Sequence, residues 1–107
     1  MPAALLLGFA IASEVVGTVA LNMSDGFSRP AAAGVSVLGY VLSFAFLAVV
    51  LKQLDVGLVY AVWAGTGTAA VALIGVAAFG EPMDAIKAMS IVAIVGGVVG
   101  LNLAGAA

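Results

Sequence analysis

Four long apolar stretches, at about 2–21, 31–51, 56–79 and 85–104, alternate along the chain with three short polar breaks. The stretches are apolar on every face, without the in-out alternation of a transmembrane barrel strand, and so predict helices. Each holds about the 20 residues that a helix needs to cross the hydrocarbon layer. The pattern therefore predicts an all-α integral membrane fold, a single transmembrane domain of four helices over 1–107 with no room for a soluble domain. The breaks carry their own stop and start signals. In "NMSDGFSRP", Asp25-Gly26 suits a turn and Pro30 suits a first helical turn. In "KQLDVG", Lys52 closes one helix and Asp55 is a cap for the next. In "GEPMDAIK", Gly80 is a stop, Pro82 a breaker and Asp84 another cap. Connections this short make neighbouring helices antiparallel.

Composition agrees with the pattern: 65% of residues are hydrophobic and 7% charged, with mean hydropathy +1.36, whereas about a quarter of a soluble domain is charged. Cysteine and histidine are both absent, which excludes thiol and disulfide chemistry and the commonest ligands of zinc and redox metals, so no metal site is expected. The net charge of −2 is scattered, and no nucleic-acid partner is expected. Ala10-Ile11-Ala12 resembles a signal-cleavage site, but residues 1–9 lack a basic segment, so the first stretch reads as a membrane span.

Every charged residue except Glu14 lies in or beside a break. Glu14 stands near the middle of the first span, where insertion of an acidic group costs about 2.5–3.5 kcal/mol, and no Lys or Arg shares its helix. Such a group needs a polar cavity, a proton or a cationic ligand; the bland alternative is a protonated Glu hydrogen-bonded between helices. The helix face around it collects Leu7, Ala10, Ile11, Gly17, Thr18 and Leu21, and the small residues among them, Gly17 included, leave space beside the carboxylate. A proton and an organic cation competing for this one carboxylate would form a minimal coupling mechanism, with protons as the coupling ion and no other cofactor.

Other helices offer walls for the site. Tyr40, Ser43, Phe44 and Leu47 share a face of the second helix, and a buried Tyr40 hydroxyl needs a partner, for which Glu14 is the strong acceptor. Tyr60, Trp63 and Gly67 align on the third helix. Their rings either attract a cation, by about 0.5–2 kcal/mol, or form an interfacial belt or plain packing. Gly65 to Ala70 formally matches a dinucleotide fingerprint, but no strand precedes it and it lies inside a span. Gly65 and Gly67 instead mark a local bend or a close helix approach. On the fourth helix Gly96, Gly97 and Gly100 form a small-residue face suited to a dimer contact.

Four helices are too few to enclose a chamber for a drug-sized cation, which points to a dimer. Arg29 and Lys87 fall on one side of the membrane, Lys52 and the terminal amine on the other. This near balance predicts insertion in both orientations and an antiparallel homodimer, each copy supplying the inverted repeat of the other.

The stretches "SEVVGTVALNMSDGFSR", "VYAVWAGTGT" and "GEPMD...VGGVVGLN" resemble the small multidrug resistance transporters over essentially the whole chain. That resemblance implies proton-coupled export of hydrophobic and quaternary ammonium cations across the bacterial inner membrane by an antiparallel dimer. Glu14 is then shared by substrate and protons, Trp63 and Tyr60 contact the cation, and Tyr40 partners the carboxylate. The partner is a second copy or a homologous subunit. Guanidinium exporters of the family typically carry Trp where Gly17 stands, so the multidrug branch is favoured and the guanidinium branch is the alternative. Asn22 replaces the usual Lys, and Ala4 an aromatic residue of a well-known member. A small dual-topology ion channel and a purely structural subunit are the other readings. An enzyme is not expected, because no second carboxylate or nucleophile–base pair accompanies Glu14.

Overall fold

The computed structural model describes residues 2–105. Four helices follow one another, α1 (Ala3–Met23), α2 (Pro30–Val50), α3 (Val56–Ala78) and α4 (Ala85–Gly105), each long and apolar enough to cross a membrane. Their limits fall within two residues of those expected from hydropathy. The described chain divides after Asp55 into two compact units, each an antiparallel helical hairpin.

In the first hairpin, α1 and α2 meet through small residues. A Cβ built on Gly39 would lie 2.8 Å from the Gly17 Cα and 2.7 Å from the Ser13 carbonyl oxygen; one on Gly17 would lie 3.2 Å from the Ser36 carbonyl oxygen. Backbone therefore packs on backbone, as small residues permit in membrane helices. Beside that contact the buried Ser43 hydroxyl donates to the Ala10 carbonyl at 2.7 Å, and the Phe9 and Phe46 rings stand 5.7 Å apart. The matched pairs 9–46, 10–43 and 17–39 run in opposite directions along the two helices, as a short connection requires.

That connection is a turn of three successive left-handed residues, Asp25 (φ 50), Gly26 (φ 68) and Phe27 (φ 66). The Asp25-Gly26 signal foretold a turn, but only Gly adopts this conformation freely; each other residue is disfavoured by about 1–2 kcal/mol. Ser24 offsets part of this. Wholly buried, it donates from its hydroxyl to the Leu21 carbonyl at 2.7 Å and accepts the Phe27 N–H at 3.1 Å, while its carbonyl accepts the Arg29 N–H at 3.0 Å. Pro30 opens α2 at the first helical position, as expected. Beyond Val50, the Lys52 and Gln53 N–H groups bond back three residues, to Val49 and Val50, so the end of α2 tightens before the chain leaves it.

The second hairpin holds Gly65 of α3 beneath Val98 and Ile94 of α4; a Cβ on Gly65 would meet the Val98 Cγ2 at 2.7 Å. Helix α3 continues through Gly65 and Gly67 as one element. Its exit is set by Gly80 (φ 68), and the Glu81 N–H returns to the Gly75 carbonyl at 3.1 Å. Asp84 caps α4 as its position foretold, Oδ1 accepting the Lys87 N–H at 2.8 Å. The Lys87 ammonium donates to the Pro82 carbonyl at 2.7 Å.

Unlike a water-soluble fold, the chain turns large apolar side chains outward as well as inward. Ser24, Ser36 and Ser43 are buried, while Leu103, Ile86 and Val92 are among the many large apolar side chains left exposed. In hydrocarbon this distribution carries no penalty.

Candidate functional site

Glu14 projects from the middle of α1 onto the face that also carries Thr18 one turn later, the i, i+4 relation that brings side chains together. The Thr18 hydroxyl donates to Glu14 Oε1 at 2.9 Å and lies 2.7 Å from the Tyr40 hydroxyl of α2. Tyr40 is held close because its backbone nitrogen would stand 3.3 Å from a Cβ on Gly17, so the glycine contact delivers the phenol to the carboxylate's helix face. Glu14 Oε2 is buried and has no hydrogen-bond partner among the described residues. Neither α1 nor α2 contains a Lys or Arg to pair with it.

Two expectations are modified here. Tyr40 reaches the carboxylate through Thr18 and not directly, because the threonine one turn from Glu14 stands between the two groups. Gly17, expected to leave space beside the carboxylate, is buried and has that space filled by the Ser36 and Tyr40 backbone. Its missing side chain serves the helix contact.

The remaining residues of the first hairpin divide by exposure. Ala10 is fully buried and Leu7 nearly so, Ile11 is half-buried, and Ser43 is buried against Ala10. Phe44 is 57% exposed. An open apolar groove of about 260 Å³ lies between the same two helices, lined by Ala12, Ser13, Val16, Val35, Leu38, Gly39 and Leu42. Glu14 does not line it, and the Ser13 hydroxyl beside it is bonded to the Phe9 carbonyl at 2.7 Å. The groove thus offers no free polar group to a charged ligand.

In the second hairpin Tyr60 and Trp63 form a pair, ring centroids 5.8 Å apart and planes tilted by 48°. Tyr60 is 64% exposed. Gly65 serves the close approach of α4, and Gly67 is buried. Among the described residues nothing lies within 4 Å of a Cβ built on Gly96, Gly97 or Gly100, so they leave this face of α4 open. No group of three or more Asp or Glu that could hold a metal occurs among the described residues.

Sequence reasoning missed Gly39 and Ser36, which carry the α2 side of the glycine contact. The only available signal was the small residue directly before Tyr40, and on a helix rich in Ala, Gly and Ser that signal is weak.

Comparison with known proteins supports the resemblance seen in the sequence. The family model described as Small Multidrug Resistance protein matches residues 3–94. Multidrug resistance protein EbrB of Bacillus licheniformis is 43% identical over 95% of this chain and 86% of its own length. Quaternary ammonium compound-resistance protein QacE of Escherichia coli is 42% identical over 92% of this chain and 90% of its own. Nicotine metabolites export pump subunit NepB of Paenarthrobacter nicotinovorans is 42% identical over 94% of this chain and 60% of its own.

Proposed function

We propose, because this chain belongs to the small multidrug resistance family, that it exports hydrophobic and quaternary ammonium cations in exchange for protons, with Glu14 binding both in turn. The chain is a multi-pass membrane transporter and not an enzyme, and its bacterial relatives assign it to the inner membrane. Multidrug and quaternary ammonium resistance are the activities for which those relatives are named.

The observation that carries the finer reading is Glu14 Oε2, buried and without a hydrogen-bond partner among the described residues, in a helix pair without a basic residue. A carboxylate in that position needs a proton or a cation to be stable in hydrocarbon. One anion serving two cationic ligands makes their occupancies exclusive. Release of one on each side of the membrane then couples the two fluxes. The exposed Tyr60 ring, paired with Trp63, supplies aromatic surface of the kind that attracts organic cations.

The working unit in this reading is an antiparallel dimer. The open glycine face of α4 suits close helix contact with a second copy, and the small difference between Arg29 and Lys87 on one side and Lys52 on the other suits insertion both ways. The word "subunit" in the name of NepB is consistent with a homologous partner as the alternative.

The test uses purified protein in liposomes with an imposed pH gradient and follows tetraphenylphosphonium uptake. Wild type is expected to show saturable, gradient-driven uptake and Glu14→Gln none. Conductance without coupling would make the protein a channel, and unchanged uptake by Glu14→Gln would remove the carboxylate from the mechanism.

A further inference from the structure

The hydrogens available around Thr18 give the bonds at Glu14 a direction. A threonine hydroxyl carries one hydrogen, an ionised carboxylate only accepts, and a tyrosine hydroxyl does either. With Glu14 ionised, the Thr18 hydrogen goes to Oε1, 2.9 Å away. The 2.7 Å contact with Tyr40 then requires the phenol to donate to Thr18 Oγ1. Donation thus runs from Tyr40 to Thr18 to Glu14, and it ends on one of the carboxylate's two oxygens.

We propose that Thr18 is a positioning residue that makes the two oxygens of Glu14 unequal, holding Oε1 at the end of this relay and leaving Oε2 as the atom that takes the proton or the cation. The assignment rests on the reading of Glu14 as the shared binding group. Three observations carry it. Oε2 is buried yet accepts no bond from a described residue, so the asymmetry is present in the fold. Threonine is β-branched and stiff about its first side-chain torsion, and in a helix its hydroxyl commonly bonds a carbonyl of the preceding turn; here it serves Glu14 and Tyr40 instead. Tyr40, finally, is the only titratable side chain of α2, as Glu14 is of α1, so within these two helices no other titratable group competes for the relay. Fixing Oε1 also fixes the plane of the carboxylate and hence the direction in which Oε2 points. A proton on Oε2 leaves the relay as it is, whereas one on Oε1 demands that the Thr18 hydrogen turn to Tyr40.

The test is carried out on the full chain in lipid, comparing wild type with Thr18→Val, Thr18→Ser and Tyr40→Phe. Infrared spectra at acid and neutral pH isolate the Glu14 carboxylate bands by their absence in Glu14→Gln, and equilibrium binding of tetraphenylphosphonium is measured on the same samples. In Thr18→Val, nearly the shape of threonine without the hydroxyl, the spacing of the antisymmetric and symmetric carboxylate stretches is expected to change and affinity to fall about tenfold, the effect of losing one hydrogen bond to a charged group. Thr18→Ser should return the bands to the wild-type spacing and recover most of the affinity; Tyr40→Phe should move both readouts less than Thr18→Val. Unchanged bands in Thr18→Val, or Thr18→Ser behaving like Thr18→Val, would overturn the assignment. Should Thr18→Val fail to fold, Thr18→Ser and Tyr40→Phe decide it, and a Tyr40→Phe protein with wild-type bands and affinity counts against it. Absence of binding by wild type would instead sink the transport reading, while the carboxylate bands still decide the Thr18 contact.

Discussion

Gly17 and Gly39 face each other across the first hairpin so closely that a Cβ on Gly39 would stand 2.8 Å from the Gly17 Cα and 2.9 Å from its nitrogen. The obstacle is backbone on both sides, which cannot rotate out of the way as a flexible side chain would. Gly39→Ala is expected to force the helices apart and destabilise the folded protein by about 1–3 kcal/mol, the usual cost of overpacking a tight contact. Gly34→Ala, with nothing within 4 Å, is the control and should be neutral or slightly stabilising. Unfolding titrations in detergent micelles compare the two.

The same displacement should reach Glu14. Because Tyr40 is delivered through the glycine contact, moving α2 outward lengthens the 2.7 Å bond from Tyr40 to Thr18. Gly39→Ala is therefore expected to weaken tetraphenylphosphonium binding severalfold even under conditions where the protein is fully folded. Equal affinity in folded Gly39→Ala and wild type would separate the helix contact from the site.

Ser43 makes a side-chain bond between α1 and α2 inside the apolar layer. Ser43→Ala should cost about 0.6 kcal/mol and at most about 1.7, the range found for such bonds between membrane helices. The same micelle titration measures it, and a loss well above that range would mean that more than this bond depends on the hydroxyl.

Two ends of helices make opposite predictions. Asp84→Ala removes the acceptor of the Lys87 N–H and should cost about 1 kcal/mol, visible as faster hydrogen exchange at the Lys87 amide. Phe27→Gly replaces a bulky residue at φ 66 by the one residue that adopts that angle freely. Relief of about 1–2 kcal/mol of backbone strain is opposed by about 0.4–1 kcal/mol from the freer unfolded chain. The variant should be neutral or stabilised, whereas Gly26→Val should be destabilised.

Much of this was legible in the sequence, for reasons particular to each element. The spans were readable because crossing hydrocarbon demands length and apolarity and nothing finer, and Pro30 and Asp84 because their effects are local to one helical turn. Glu14 stood out as a charge where charge is costly. The Gly17–Gly39 contact was not legible, because the rotation and crossing of two uniformly apolar helices are decided by how their small residues mesh, and many registers look alike when every face is apolar. The Tyr40 to Thr18 bond follows from that register and was hidden with it. The left-handed run through Phe27 was masked as well. A phenylalanine argues against positive φ, and bonds from Ser24 and Ser28 offset part of the cost.

The apolar exterior of the helices divides the chain into two kinds of position with different freedom to change. Val50 and Val59 are the largest of the fully buried side chains, so among the described residues nothing bulkier than a valine is wholly enclosed. An outward Leu, Ile, Val or Met is held only to being soluble in lipid, and any of the four meets that demand. Serines and glycines at the contacts have no such substitutes: each is present for an atom it lacks or a hydroxyl it carries. Sequence can therefore drift over most of the surface while the fold stays in place, and mutations with consequences should gather at small residues rather than large ones.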